Sequence, residues 1–574
     1  MNRLVVFLGL LLSGLSSASQ PTITLPSSIA TMDLSRAEGI AVLTGGRVKP
    51  LLVAAQEGVQ GIRGRASLNA DYSPMHSWFA LTLFSDTLSR QKIILCEFRP
   101  LRKALGLPEE GRWESFQDLA SSAKLRNLIE VAAEKDRRKE RLTKTEKAAR
   151  EVGGRLQRFQ VAGSGADWRL IPGPKGDEGT WRLPQEVSPN EVLQDTVLLS
   201  RMGALRSMLM SFAAGDQSGF DAAASRLAQN EILHESYTRR AIGEPLRIHD
   251  WQISAELFLV TQRPFRWTWI LLLVSFLAAY VAQTISRKGV VASEASRILA
   301  GLTTVSASLA GASILAMAVG FALRVLVSGR APVTNMYETT LWVGFGSVLF
   351  GLIFAALYRS RIVLASVAAA GAIVFLLADS VPSVLSPAIA PLTPVLRSNY
   401  WLTLHVLTVT ISYAAFLVAM ALGNLGLFQV FRRGSEAFQK ELAHYTYRAI
   451  QLGVLLLTAG IILGGVWADY SWGRFWGWDP KETWSLIADL GYLIILHGRF
   501  TGWVKSFGTL LGGVLAFYGV VMAWYGVNFI LASGLHSYGF SEGGATAMAA
   551  YALLQGAFAG ACVWKRRRQI PSEA

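Results

Sequence analysis

Residues 467–484 read WADYSWGRFWGWDPKETW. Trp467, Trp472, Trp476, Trp478 and Trp484 share this stretch with Tyr470 and Phe475, and Asp469, Arg474, Asp479, Lys481, Glu482 and two glycines stand between them. Long apolar runs flank it on both sides. A helix in hydrocarbon does not carry charges so close together, because each costs ~2.5–3.5 kcal/mol at the bilayer centre. A soluble core strand does not spend so many indoles in one loop. The stretch therefore reads as an aromatic-rich surface at a membrane–water boundary, suited to something flat, large and partly apolar. An interfacial aromatic belt explains Trp467 and Trp484 at the two ends equally well. It explains neither the glycines nor the DPKE of the centre.

Outward from that stretch the chain divides in two. Of its 574 residues 51% are hydrophobic, and the mean hydropathy is positive. That average hides a polar first part, to about residue 262, and a polytopic membrane part, 263–574. Cys96 and Cys562 are the only cysteines, one in each part, and no CxxC or CxxCH occurs. The chain thus has no thiol-redox motif and no covalent haem attachment site of its own. Residues 1–20 carry Arg3, an apolar run of about ten residues and a small-residue end, the pattern of a secretory signal peptide. The expectation is that 21–262 is an extracytoplasmic soluble domain, mostly helical. Its dense alternating charge around EKDRRKERLTKTEKAAR reads as solvated helix, with a break expected at Gly153 and Gly154. Pro172 to Gly179 marks a loop. Ser188-Pro189-Asn190-Glu191 reads as a capping box opening a helix to about Ala214, with a second helix from Gly219 to Arg240. His76, His234 and His249 in this part read as ordinary surface histidines.

Nine apolar runs of about twenty residues follow, at 266–285, 299–323, 338–357, 362–379, 400–430, 449–467, 484–500, 508–527 and 546–564. The expected fold is an all-α polytopic membrane protein. With an exported N-terminal part, the cytoplasmic loops hold Arg287, Lys288, Arg297, Arg359, Arg361, Arg432, Arg433, Lys440, Arg448, Arg499, Lys505 and the four bases from Lys565 to Arg568. The outer loops hold Arg324, Arg330, Arg397, Arg474 and Lys481. This asymmetry obeys the positive-inside rule, so the net charge of +15 needs no nucleic acid. The tryptophan stretch, 328–338 and 528–544 then face outside.

The string WGRFWGWDPKETWSLI, followed by LHGR and GVNFILASGLHSYG, closely resembles the WWD domain of the haem-handling family that includes CcsA (also called ResC), CcmC and CcmF. The match to the CcsA type is close. The likeness covers residues 298–545 and is silent on most of 20–260. GGRVKPL (45–51) resembles a short motif of extended CcsA-type proteins.

Imidazole is a common axial ligand of haem iron. His405 and His536 flank the tryptophan stretch and fall at the same membrane face, so a porphyrin lying on the indoles would take one above and one below. The other readings are a satisfied intramembrane polar residue for His405 and an ordinary loop residue for His536. His497 ends the seventh run on the cytoplasmic side. The resemblance implies that it holds haem within the membrane before crossing, with its second axial ligand supplied by a CcsB (ResB)-type membrane subunit. His444 reads as surface. Arg474, Lys481 and one of Arg330 or Arg397 are candidates to pair with the two propionates. Asp479 and Glu482 read as caps of a helix opening at Pro480.

The resemblance implies a system II type of cytochrome c biogenesis in the bacterial inner membrane. Haem b, held non-covalently, crosses by way of His497 to the outer site. There its vinyl groups meet the CxxCH thiols of apocytochrome c, kept reduced by thioredoxin-like proteins of the same pathway. The chain would then form part of a cytochrome c synthase complex. Two alternatives stand beside it, a haem exporter or chaperone of the CcmC type without synthase activity, and a non-haem multipass transporter. Internal repeats with broken helices, expected of many transporters, are not evident.

Overall fold

The computed structural model describes residues 23, 26–138, 140, 142–171, 181–228, 250–287, 293–382, 384–391, 399–531 and 544–568. The chain forms two units, Met1–Leu257 and Phe258–Ala574.

The first unit is mainly helical, with two small antiparallel ladders. Strands β1 (Ala41–Thr44) and β2 (Arg47–Pro50) pair with Thr44 opposite Arg47. The two-residue turn between them is Gly45–Gly46, both at positive φ (59° and 81°), the conformation that a tight hairpin demands. The GGRVKPL string is therefore a hairpin turn and its returning strand. Strands β3 (Lys92–Leu95) and β4 (Trp113–Ser115) form the second ladder. The expected break at Gly153 and Gly154 does not occur, because helix Lys144–Gly163 runs through both. Gly153 instead lets the helix approach its neighbour Ala123–Arg137, since a Cβ there would lie 2.9 Å from Ile129 Cδ1. The helix expected to run on to Ala214 is split into Pro189–Gln194 and Thr196–Ala214. Asp195 between them is extended, and its Oδ1 accepts from Leu198 N–H, capping the second piece. The following helix is Gln217–Ala228, and the rest of the stretch expected to reach Arg240 lies outside the described residues.

The second unit is a helical bundle. Its helices are α1 (Pro264–Arg287), α2 (Ser293–Ser328), α3 (Met336–Leu357), α4 (Arg361–Ser380), α5 (Leu402–Phe431), α6 (Glu436–Trp472), α7 (Pro480–Phe500), α8 (Ser506–Leu531) and α9 (Gly544–Arg567). Eight helices among the described residues are long and apolar enough to cross a membrane, and α7 is not among them. Its 21 residues make about 31 Å of helix, long enough to cross, but Lys481, Glu482, Asp489, His497 and Arg499 lower its apolarity. The chain is thus an all-α integral membrane protein. Helix α5 sits at the centre, against α3, α4, α6, α8 and α9. Phe416 of α5 stacks on Tyr492 of α7 with ring centroids 3.9 Å apart. Arg324, expected in an outer loop, lies inside α2. It is 3% exposed and pairs with Glu338 of α3 at 2.7 Å; burial of the pair is what admits both charges.

Candidate functional site

The start of α5 and the end of α6 place the first element. Residues Leu402–Val406 form a π-helical turn, a widening of the helix that is frequent at functional sites, and His405 lies in it. The imidazole packs against GIILGG of α6. Its Nδ1 is 2.9 Å from Gly460 O, and a carbonyl can only accept, so Nδ1 carries the hydrogen. In the neutral ring the lone pair then sits on Nε2, the arrangement that makes a histidine ready to ligate a metal. A Cβ on Gly464 would lie 2.5 Å from His405 Cε1. Gly460 and Gly464 form a small-xxx-small pair, which lets membrane helices approach closely. Trp467 stands edge-on to the imidazole at 5.7 Å and 62°, and is itself buried against Leu402.

The tryptophan stretch supplies the next wall. Helix α6 ends at Gly473, left-handed with φ 66°, whose N–H donates to Asp469 O. The chain then turns back across α6: the Phe475 ring lies over Gly465, where a Cβ would come 2.4 Å from it. Trp476 and Trp478 meet edge to face at 5.9 Å, and Trp478 is left-handed (φ 56°) and 70% exposed. Asp479 is the N-cap of α7, with Pro480 at the first position and a reciprocal capping box with Glu482. Glu482 Oε2 also accepts from Gly477 N–H at 2.8 Å, tying the turn to the helix start.

These parts border one cleft, enclosing about 1100 Å³ counted out to its open mouth. Its walls come from the start of α3 (Asn335, Thr339), the start of α5 (His405, Tyr413), the end of α6 (Gly464, Trp467), the turn (Phe475, Trp476), the start of α7 (Lys481, Ser485) and the end of α8 (Trp524, Asn528). All are the same end of the bundle. The α8 segment Met522–Leu531 is again π-helical, so both π-helical segments among the described residues border the cleft. Trp524 Nε1–H donates to Thr339 Oγ1 at 3.0 Å. Asn528 is 4% exposed; its amide N–H donates to Trp524 O, while Oδ1 is buried without a partner.

The expected site residues are thus partly brought together. His405, Trp467, Trp476 and Lys481 border the cleft, whereas Trp472, Trp478, Trp484 and Arg474 do not. Trp484 packs on the bundle core. Arg474 lies across Gly477, with its guanidinium 5.9 Å from the Trp472 ring. Arg330 donates to Ala390 O. His536 and Arg397 lie outside the described residues. His497 is exposed in the last turn of α7, its Nδ1 2.8 Å from Leu493 O. It lies about 22 Å along the helix from Glu482, far from the cleft. Lys481 precedes the apolar stretch that starts at Trp484, and burial pushes its ammonium down to about 8, opposed by Asp479. No ion pair forms on it among the described residues. A desolvated cation of this kind is ready for an anionic ligand.

Reading by sequence missed Gly460, Gly464, Tyr413 and Asn528; the GIILGG spacing was the available signal for the two glycines. It also missed Asp489, one turn below Ser485 on α7. Asp489 is 5% exposed; its Oδ2 accepts from Thr458 Oγ1 of α6 at 2.9 Å, and its Oδ1 has no partner. An aspartate at a membrane-helix centre costs ~2.5–3.5 kcal/mol, whereas one interhelical hydrogen bond returns on average ~0.6 kcal/mol. Stability alone does not account for it.

Fold and cleft together define an all-α polytopic membrane protein with an aromatic-walled cleft at one end of its bundle. Residues 333–536, which hold the whole cleft, match the family described as cytochrome C assembly protein. CcsA of Prochlorococcus marinus (strain NATL2A), a cytochrome c biogenesis protein, is 36% identical over 259 residues, covering 38% of this chain and 79% of that protein. CcsA of Synechococcus sp. (strain CC9902) is 32% identical over 320 residues, 50% of this chain and 99% of that protein. NrfI of Wolinella succinogenes is 40% identical over 226 residues, 38% of this chain, and the chain spans 24% of that protein's length. The chain belongs to the CcsA-type family of cytochrome c biogenesis proteins.

Proposed function

We propose that the cleft receives haem b as a non-covalent substrate and holds it for attachment to apocytochrome c. The observation that carries this is His405, held by Gly460 O with its lone pair on Nε2, in a cleft walled by Trp467, Phe475 and Trp476. A flat apolar macrocycle fits such walls, and the unpartnered Asn528 Oδ1 and the cation of Lys481 fit its polar edge. His405 is an axial ligand and His536 the second. Lys481 neutralises a propionate; Arg474 serves the other after swinging from Gly477. Trp472, Trp478 and Trp484 frame the site from outside the lining.

Each cysteine thiol of apocytochrome c adds across a vinyl C=C, sulfur to one carbon and hydrogen to the other, with no net redox change. The protein contributes position and control of iron ligation, since the macrocycle carries the chemistry. His497 takes haem at the opposite end of α7. Its exposure fits a second ligand from a CcsB/ResB-type subunit, and thioredoxin-like proteins keep the acceptor thiols reduced. The protein lies in the bacterial inner membrane with the cleft and residues 21–262 outside the cytoplasm, after a leader at 1–20.

The test is an absorption spectrum of the detergent-purified full chain, alone and co-expressed with its CcsB-type partner. A Soret band with six-coordinate bis-imidazole features, altered by His405→Ala and by His536→Ala, is expected. No haem in any preparation, the partnered one included, overturns the reading and favours a non-haem transporter. Bound haem with no attachment to a co-expressed CxxCH acceptor favours a CcmC-type exporter.

A further inference from the structure

Beneath the cleft, the faces of α6 and α7 that line it run on. On α6 the residues facing it include Gly465 and Ile461, and one turn further along the same face stands Thr458. On α7 they are Glu482 and Ser485, and one turn further stands Asp489. An i, i+3, i+7 series and an i, i+3, i+7 series on neighbouring helices keep one face each. The Thr458–Asp489 hydrogen bond therefore joins the two stripes immediately beneath the cleft. Beyond it, two turns further along α7 and about 12 Å away, comes His497. No cation pairs with Asp489 among the described residues; the residue is 5% exposed and its Oδ1 is buried and unpartnered. An ionisable side chain inside a membrane segment marks a substrate or ion pathway.

We propose that Asp489, with Thr458, is a binding step for a carboxyl group of the substrate on its way between α6 and α7 to the cleft. This rests on the reading of the cleft as a haem site. Oδ2 is occupied by the Thr458 hydroxyl, so Oδ1 is the atom that meets the passing group. A carboxyl meeting a carboxyl shares one proton between two oxygens, whichever acid brings it, and an anionic propionate so held is spared hydrocarbon. Separation of the Thr458–Asp489 bond opens the floor, and its return closes it behind the substrate.

The experiment compares two routes of filling in the full chain. In the first, wild type, Asp489→Leu, Asp489→Asn and Thr458→Val are co-expressed with the partner subunit in haem-making cells, and haem per chain is read by absorption. His405→Ala and His497→Ala backgrounds assign the signal to the cleft or to the inner end. In the second, purified apoprotein in detergent is given haemin, which reaches the open mouth directly. In cells Asp489→Leu is expected to lower cleft haem roughly tenfold, as for one lost hydrogen bond to a charged group, while haem at His497 is kept. Asp489→Asn, which retains a donor and an acceptor, should stay near wild type. By the haemin route all variants should fill equally. Cleft haem in cells unchanged by Asp489→Leu overturns the proposal, and so does equal loss by both routes, which is the result of a purely structural pair. Wild type empty by both routes overturns the haem reading itself.

Discussion

Gly464→Ala separates the stability of the bundle from the position of His405. The new methyl carbon would stand 2.5 Å from Cε1, 2.9 Å from Nδ1 and 3.2 Å from Nε2 of the imidazole. Ordinary contact begins at 3.4 Å, so the ring must move by at least about 0.9 Å. A metal–ligand bond tolerates about 0.2 Å. The same movement breaks the Nδ1–Gly460 bond, worth ~0.5–1.5 kcal/mol, and alanine in a helix returns ~0.5–1 kcal/mol relative to glycine. Thermal unfolding should therefore stay close to wild type. Loss of an orienting partner usually lowers metal affinity ~10–100-fold, and that is the expected fall in haemin affinity, measured by Soret titration of the apoprotein. Gly301→Ala is the control, since nothing lies within 4 Å of its Cβ position. A Gly464→Ala protein that binds haemin with wild-type affinity and spectrum would refute the placement of His405 as a ligand fixed by α6.

Two further outcomes follow from buried charge. Arg324→Leu strands Glu338 in the bundle and should cost ~3–5 kcal/mol, read as a lowered unfolding temperature in detergent, with Arg324→Leu/Glu338→Leu recovering most of it; equal damage in the double variant would show that the pair is not the source. Lys481 bears on pH: its folded value, about 8, lies below the ordinary 10.5, so the unfolded chain binds more protons between these values and stability rises with pH there. Lys481→Met apoprotein should unfold at a higher temperature than wild type at pH 7, and the gap should shrink as pH climbs from 8 towards 10.5; a gap independent of pH would mean that desolvation of the ammonium is not its cause.

Local signals survived intact from sequence to structure. The DPKE string opens α7 with its cap, proline and reciprocal glutamate as read, because capping needs only residues within one turn. The apolar runs became helices for a similar reason: hydrocarbon forces every backbone group to pair within its own segment. What failed locally failed through neighbours. Gly153 sits in a continuous helix because Ile129 of an adjacent helix claims the space, and Arg324 left its expected loop because Glu338 offered a partner 14 residues away in sequence.

The cleft needed the third dimension. Nothing in NYWLTLHV shows that His405 donates to Gly460, 55 residues on, or that Gly464 keeps room for the ring. The sequence set the end tryptophans, Trp467 and Trp484, apart from those of the centre, yet packing turned Trp467 and Trp476 to the cleft, Trp484 to the core and Trp478 outward. The sequence alone determined that this chain is a helical membrane protein with an aromatic, charged turn at one face, since hydropathy and charge act residue by residue. Which side chains converge, and that Asp489 lies hidden beneath them, was decided by helix packing, because contacts between distant segments depend on rotation and close approach that no local pattern records.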